Sequence, residues 1–258
     1  MSFLEVDKIH HTYFTPKTAT TVLKDISITI EEGEFVSLLG PSGCGKTTLL
    51  SIIAGLIHPT YGTIKIGGIH INELKTMIGY MLQQDYLFPW KTIEENITLG
   101  LKIMNKYTTE NHQRCLELLK AMNLGNVKKQ YPNQLSGGMR QRVALVRTLS
   151  TDPKILLLDE PFSALDFQTK LKLEDLVSAT LKEYNKTAIL VTHDIGEAIA
   201  MSDRIYLLKA NPGEIAKVFN VPNELKQLKP FDARQHPNYS LLFQQIWEEL
   251  NNLESKTT

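Results

Sequence analysis

The run Gly40-Pro41-Ser42-Gly43-Cys44-Gly45-Lys46-Thr47-Thr48 has the residue types and the spacing needed to hold a polyphosphate. Gly40, Gly43 and Gly45 permit backbone dihedrals that other residues avoid, and they let the main chain come close to a ligand. Successive N–H groups of such a loop point inward. Where the loop opens a helix, the helix dipole adds to their attraction for anions. Lys46 brings a point charge to the β and γ phosphates, and the Thr47 hydroxyl is placed to ligate Mg²⁺. Every fixed position of G-x-x-x-x-G-K-[ST] is met, so the loop is expected to bind Mg²⁺·ATP.

Two carboxylates follow at the end of the run Ile155-Leu156-Leu157-Leu158-Asp159-Glu160. Asp159 is expected to hold Mg²⁺ through water, which leaves Glu160 free to polarise an attacking water as general base. A further anion site is suggested by Leu135-Ser136-Gly137-Gly138-Met139. Ser136 reads as a helix cap, and Gly137 and Gly138 allow close backbone approach at the helix start. One ATP does not need two phosphate cradles on one chain. The arrangement makes sense if the second cradle faces the γ-phosphate bound by another copy.

These groups need a scaffold, and the hydrophobic pattern supplies one. Residues 22–30 alternate as a half-buried strand, and 35–39 form a continuously apolar strand leading into the glycine loop and a helix over 46–56. Strands are predicted over 63–66, 78–82, 155–158, 187–192, 205–208 and 215–219. Helices are predicted over 92–103, 110–122, from near Ser136, 169–184 and 194–201. Buried strands alternating with helices imply an α/β fold with a mostly parallel sheet. The helical stretch from Thr92 interrupts that alternation and reads as an inserted subdomain over about 92–150. From Lys226 the pattern changes. Pro230 and Pro237 bracket an expected loop, and Tyr239, Leu242, Phe243, Ile246, Trp247, Leu250 and Leu253 then recur at the spacing of an amphipathic helix whose apolar face docks on the parent domain.

Composition narrows the function classes. With 28 Lys and Arg against 28 Asp and Glu, the chain has no basic excess of the kind a dedicated nucleic-acid binder carries. The two cysteines, Cys44 and Cys115, are too few and too separated for a disulfide framework or a zinc site. The amino terminus lacks the apolar stretch of a signal peptide, and no apolar run approaches the ~20 residues of a membrane-spanning helix. A cytosolic protein is expected, with any membrane role arising through a partner.

Taken in order, these motifs resemble those of the ATP-binding subunit of an ABC transporter, over residues 3–219. Leu135-Ser136-Gly137-Gly138-Met139 is similar to that family's signature, with Met139 where Gln is more frequent. The resemblance implies a P-loop NTPase core with an antiparallel β subdomain and the inserted helical subdomain, in a domain over 3–225 with a C-terminal extension over 226–258. It implies that Gln83, next to Gln84, reaches Mg²⁺ and links to the membrane subunit, and that Asp166 of Ser163-Ala164-Leu165-Asp166 crosses a dimer interface. His193 would contact the γ-phosphate. An aromatic ring would stack on adenine, with Tyr13 resembling it best beside Phe14 and His11. Partners would be a second copy in a head-to-tail sandwich, membrane permease subunits at the cytoplasmic face, and indirectly a solute-binding protein. The Pro89-Trp90 pair after Gln83, together with the tail Lys229-Pro230-Phe231-Asp232-Ala233-Arg234, resembles importers of the nitrate, sulfonate and taurine group, although Phe231 replaces an Arg found in nearer members. An importer of a thiamine-pyrimidine precursor, an exporter's ATPase and a soluble non-transport ABC ATPase are the alternatives. Lys46→Ala is expected to weaken nucleotide binding itself, which titration with a fluorescent ATP analogue measures; unchanged affinity would remove the loop from the site.

Overall fold

In the computed structural model, which describes residues 2–71, 77–163 and 165–255, the continuously apolar runs become the centre of a sheet. The chain opens with a long antiparallel pair, β1 (Leu4–Phe14) and β2 (Ala19–Ile30). The sequence pattern misses β1, and the reason is local. Lys8 takes a φ of 47°, and register shifts between Val6 and Ile9 break the alternation by which a strand is recognised. β2 also starts three residues before the expected Val22. β3 (Phe35–Leu39) leads into the glycine loop and α1 (Lys46–Ile53), which stops short of the expected Leu56 where Ala54 caps it. β4 (Tyr61–Ile66), the short β5 (Ile69–His70), and β6 (Ile78–Met81) follow.

Next come three helices, α2 (Ile93–Ile103), α3 (Thr109–Ala121) and α4 (Gly137–Ser150), which pack on one another. Thr92 and Glu95 form a capping box that fixes where α2 begins. The alternating half resumes with β7 (Ile155–Asp159), α5 (Phe167–Glu183), β8 (Thr187–Thr192), α6 (Ile195–Met201), β9 (Arg204–Lys209) and β10 (Glu214–Asn220). The extension contains α7 (Asn223–Lys226), α8 (Pro230–Ala233) and α9 (Pro237–Ser255). α8 corrects the expected loop between Pro230 and Pro237: with its fixed φ, Pro230 starts a helical turn as readily as it ends one.

Two sheets result. The larger has the order β10-β9-β3-β8-β7-β6, parallel from β9 to β6, with β10 antiparallel at the edge. The smaller, β2-β1-β4-β5, is antiparallel throughout. Side chains on the parallel strands alternate between two cores. Leu157, Ile189 and Val191 face α1 and the small sheet, whereas Leu156, Leu158 and Leu190 face the helices of the inserted stretch and α5. Apolarity on both faces is why these strands read as unbroken hydrophobic runs.

A third core joins α6 and the outer strands to the extension through Leu225, Ala233, Leu242 and Ile246. Tyr239, Leu250 and Leu253 pack at its margin. Phe243 and Trp247, expected on the docked face, are instead 37% and 52% exposed. The apolar stripe of α9 is wider than the surface it covers. Ile246→Ala should therefore cost about 2–5 kcal/mol by opening a cavity, and Trp247→Ala under about 1 kcal/mol. Urea unfolding compares the two, and equal losses would reassign the docked face.

Candidate functional site

The glycine loop is shaped by what surrounds it. Gly43 and Gly45 adopt φ of 77° and 93°, in the left-handed region. A Cβ on Gly45 would sit 2.6 Å from Leu23 Cδ2, and one on Gly40 would sit 2.6 Å from the Leu208 carbonyl oxygen. At Gly43 a Cβ would meet nothing within 4 Å, so this flank of the loop is open to a ligand. Lys46 is buried, and its Nζ donates to the carbonyls of Gly40 at 2.7 Å and Pro41 at 2.9 Å, lying across the loop formed with Ser42. The Cys44 thiol is buried as well, and burial pushes its pKa up.

The Thr47 hydroxyl donates to Asp159 Oδ1 at 3.2 Å. Asp159 is only 4% exposed, and burial holds its carboxyl above the usual range despite that hydrogen bond. Tyr13 brings its hydroxyl to 3.5 Å from Thr48 Oγ1, with the buried His11 edge-on to its ring at 4.5 Å. Phe14 projects into solvent. Of the three aromatic candidates, Tyr13 is the exposed one that lies against the loop.

Glu160 sits where β7 ends, with φ at 45° and its amide donating to the Val191 carbonyl at 2.9 Å. That turn aims its carboxylate at two side chains. Gln83 Nε2 reaches Oε2 at 3.2 Å, and His193 Nδ1 lies 3.3 Å from Oε1. Gln83 follows β6 and His193 follows β8, so the order β6-β7-β8 brings all three to the carboxyl ends of adjacent strands, where parallel sheets hold ligands. Gln83, not Gln84, makes this contact. Gln141, which the sequence reading passed over, supports it by donating Nε2 to the Gln83 carbonyl at 3.1 Å. Arg140 and Arg147, also unanticipated, hold the same segment through Asp85 and the Tyr86 carbonyl. Their clustering just after Met139 was visible, but their partners lie too far away in sequence to be read.

Ser136 caps α4 as expected from its type, accepting from the Met139 amide at 3.3 Å. Among the described residues, no hydrogen bond or ion pair joins Ser136, Gly137 or Gly138 to residues 40–48 or to Glu160. Within one chain the two cradles stay apart. Asp166 likewise caps α5, accepting from the Thr169 amide at 3.0 Å, and the Thr169 contacts hold its carboxyl below the usual range. Ala164 of the same motif lies outside the described residues.

One end of the molecule thus gathers Tyr13, the loop, Gln83, Asp159, Glu160 and His193. Among the described residues, no group of three or more His, Cys, Asp and Glu could hold a metal ion by itself. Thr47 and Asp159 nevertheless suit Mg²⁺, a hard cation that takes one or two protein oxygens and fills its shell with phosphate oxygens and water.

Residues 23–163 match the family model described as ABC transporter. The chain is 62% identical over 256 residues to the ABC transporter ATP-binding protein YtlC of Bacillus subtilis, covering 99% of this chain and 98% of that protein. To the aliphatic sulfonates import ATP-binding protein SsuB of Bacillus thuringiensis it is 44% identical over 219 residues, 84% of each chain. To the taurine import ATP-binding protein TauB of Pelagibacter ubique it is 38% identical over 264 residues, covering 99% of this chain and 98% of the relative. Its fold matches the dimeric structure of a post-hydrolysis state of an ATP-binding cassette bound to ADP and Pi, with a TM-score of 0.75 and 36% identity over 85% of this chain and 99% of that one. Tyr13→Ala should weaken ATP binding by about 1–3 kcal/mol if its ring stacks on the base, and Phe14→Ala by much less. Isothermal titration distinguishes them, and the reverse ranking would move the stacking role to Phe14.

Proposed function

The chain belongs to the ABC transporter family as an ATP-binding subunit, and from that premise we propose that it hydrolyses ATP to drive import of a small sulfonate or taurine-like solute. The observation that carries the site reading is the Glu160 carboxylate held between Gln83 and His193, one residue from the Thr47–Asp159 pair. The solute class rests on the relatives named for sulfonate and taurine import, and on the Pro89-Trp90 pair. No helix among the described residues is long and apolar enough to cross a membrane; the path for the solute is assigned to permease subunits.

In this reading, Tyr13 stacks on adenine, and residues 40–48 wrap the phosphates with backbone N–H groups. Lys46 leaves its carbonyl partners to neutralise the β and γ phosphates. Thr47, Asp159 and Gln83 would hold Mg²⁺, which would supply positive charge against the negative charge developing on the phosphates. Glu160 accepts a proton from the water that attacks the γ-phosphorus, and the leaving group is ADP. His193 donates a hydrogen bond to the γ-phosphate and orients Glu160 through Nδ1.

The remaining contacts come from a second copy in a two-fold arrangement. Its Ser136, Gly137 and Gly138 present a helix N-terminus to the γ-phosphate, and its Asp166 lies across the interface. The chain divides into an ATP-binding domain over 3–225, with the helical subdomain over about 92–150, and an extension over 226–258. Trp90 is 71% exposed on the turn after Gln83 and is the anchor for a permease helix, holding the subunit at the cytoplasmic face. A solute-binding protein would deliver the cargo to that permease.

Glu160→Gln should retain ATP binding and lose turnover by about 10²-fold or more, the scale for removing a general base. Phosphate release under saturating ATP measures this, and a turnover close to that of the unaltered chain would transfer the base role elsewhere. Trp90→Ala should leave turnover of the isolated subunit intact and weaken its stimulation by the permease. Equal loss of both would give Trp90 a part in turnover itself and remove the permease-anchor reading.

A further inference from the structure

Behind His193 the chain buries a cluster of charges that the phosphate chemistry does not use. Lys170 on α5 places Nζ 2.6 Å from Asp194 Oδ2 and 2.6 Å from Glu197 Oε1. Both carboxylates control the turn that carries His193. Asp194 follows it and caps α6, accepting from the Glu197 amide at 3.1 Å. Glu197 accepts the hydroxyl of Thr192, the residue before His193, at 2.5 Å, and Thr192 Oγ1 accepts from the Asp194 amide at 3.0 Å. The neighbours on both sides of His193 are therefore tied to a single ammonium group.

One turn farther along α5, Glu174 is fully buried, with Arg234 Nη2 2.7 Å from its Oε2. Arg234 belongs to the C-terminal extension, where Nη1 donates to the Pro230 carbonyl at 3.0 Å. Tyr239 of α9 seals the same region: a Cβ on Gly196 would lie 2.8 Å from its hydroxyl oxygen. Lys170 and Arg234 thus face three carboxylates, those of Glu174, Asp194 and Glu197. Burial pushes the Glu174 carboxyl up to about 7, against the pull of Arg234 and, less strongly, of Lys170, while Glu197 adds to the rise. If Arg234 were removed, Glu174 would titrate higher still, and once ionised it would be left to compete for Lys170, its neighbour at the i−4 position on the same helix face.

We propose that Arg234 is a positioning residue for ATP hydrolysis, pairing with Glu174 so that Lys170 stays on Asp194 and Glu197 and the His193 turn stays aimed at Glu160. The extension then does more than cover apolar surface. It sets the rate of the chemical step from outside the nucleotide site. This rests on the reading of His193 as a γ-phosphate contact.

Steady-state ATP turnover of the full chain, with a thermal melt of each variant, tests the inference. At an alkaline pH that ionises Glu174 without Arg234, Arg234→Met should lower kcat about 10- to 100-fold relative to the unaltered chain at the same pH, the scale for small misplacement of a reacting group, with KM for ATP within about twofold. Adding Glu174→Gln to Arg234→Met should restore kcat to within about threefold of the unaltered chain, because an uncharged glutamine does not compete for Lys170. Because Arg234 pulls the Glu174 pKa down, its removal lifts that carboxyl above about 7. The loss in Arg234→Met should therefore grow as the pH is raised and Glu174 ionises, and vanish toward neutral pH, where it keeps its proton. A contact that only tacks down the tail would lower the melting temperature without rescue or pH dependence. Turnover of folded Arg234→Met within twofold of the unaltered chain at that alkaline pH, or a double variant no faster there than the single, overturns the inference. If Arg234→Met does not fold, the double variant decides: near-normal turnover supports the inference, and a loss as large as that of His193→Ala overturns it. His193→Ala separates the two levels. Should it turn over normally, the reading of His193 fails; should it be slow while Arg234→Met is fast, only the present inference fails.

Discussion

Glu160 is an acid at the mouth of a sheet whose interior is almost wholly apolar, and much of the architecture serves to hold that carboxylate in place. The strand before it is fully buried, and its left-handed backbone turn is secured by an amide hydrogen bond to the neighbouring strand. Parallel pairing of β6, β7 and β8 then sets the loops bearing Gln83 and His193 on either side. A different strand order would leave Glu160 without these neighbours. Asp159, one residue earlier, points into the core side and meets Thr47. Two adjacent carboxylates thereby acquire separate environments, the basis for giving one to the metal and the other to the water.

The helical subdomain is coupled to this centre through a small set of polar contacts. Gln141, Arg140 and Arg147 on α4 grip the segment from Gln83 to Tyr86. The same helix begins at Ser136, so the segment carrying Gln83 and the proposed second phosphate cradle are attached to one rigid element. Displacement of α4 by nucleotide on a second copy would be felt at Gln83 and at the exposed Trp90 nearby. In the proposed reading, such a path would convert a binding event into motion of a partner by rigid-body switching. The extension reaches the opposite flank of the site, through Arg234 and Glu174, and it touches α5 and α6 without approaching the loop.

Motifs whose chemistry depends on contiguous residues were legible in the sequence. The loop of residues 40–48, the pair Asp159–Glu160 and the cap Ser136 could be read because spacing along the chain dictates their local geometry. Strands β3, β7 and β8 were equally clear, since apolarity on both faces leaves an uninterrupted signal. Long-range pairing left no such trace. Nothing in the order of residues brings Gln141 to the Gln83 carbonyl or Arg234 to Glu174, pairs separated by 58 and 60 residues. β1 was hidden by its own bulge, where Lys8 disrupts the two-residue period. The α9 stripe was over-read because helical periodicity reports which residues share a face and not how wide a surface awaits them, so Phe243 and Trp247 were assigned to a core that Leu242 and Ile246 fill while Tyr239, Leu250 and Leu253 line its margin.

The separation of Ser136 from the glycine loop within one chain makes the central claim one about assembly: two copies close around ATP to complete each site. Sedimentation velocity of the Glu160→Gln chain with and without saturating Mg²⁺·ATP tests it most directly, because slowed hydrolysis holds the closed state long enough to observe. The account predicts a single-chain species without nucleotide and a species of twice that mass with it. A chain that remains single at saturating ATP, while titration confirms that nucleotide is bound, would contradict the shared site.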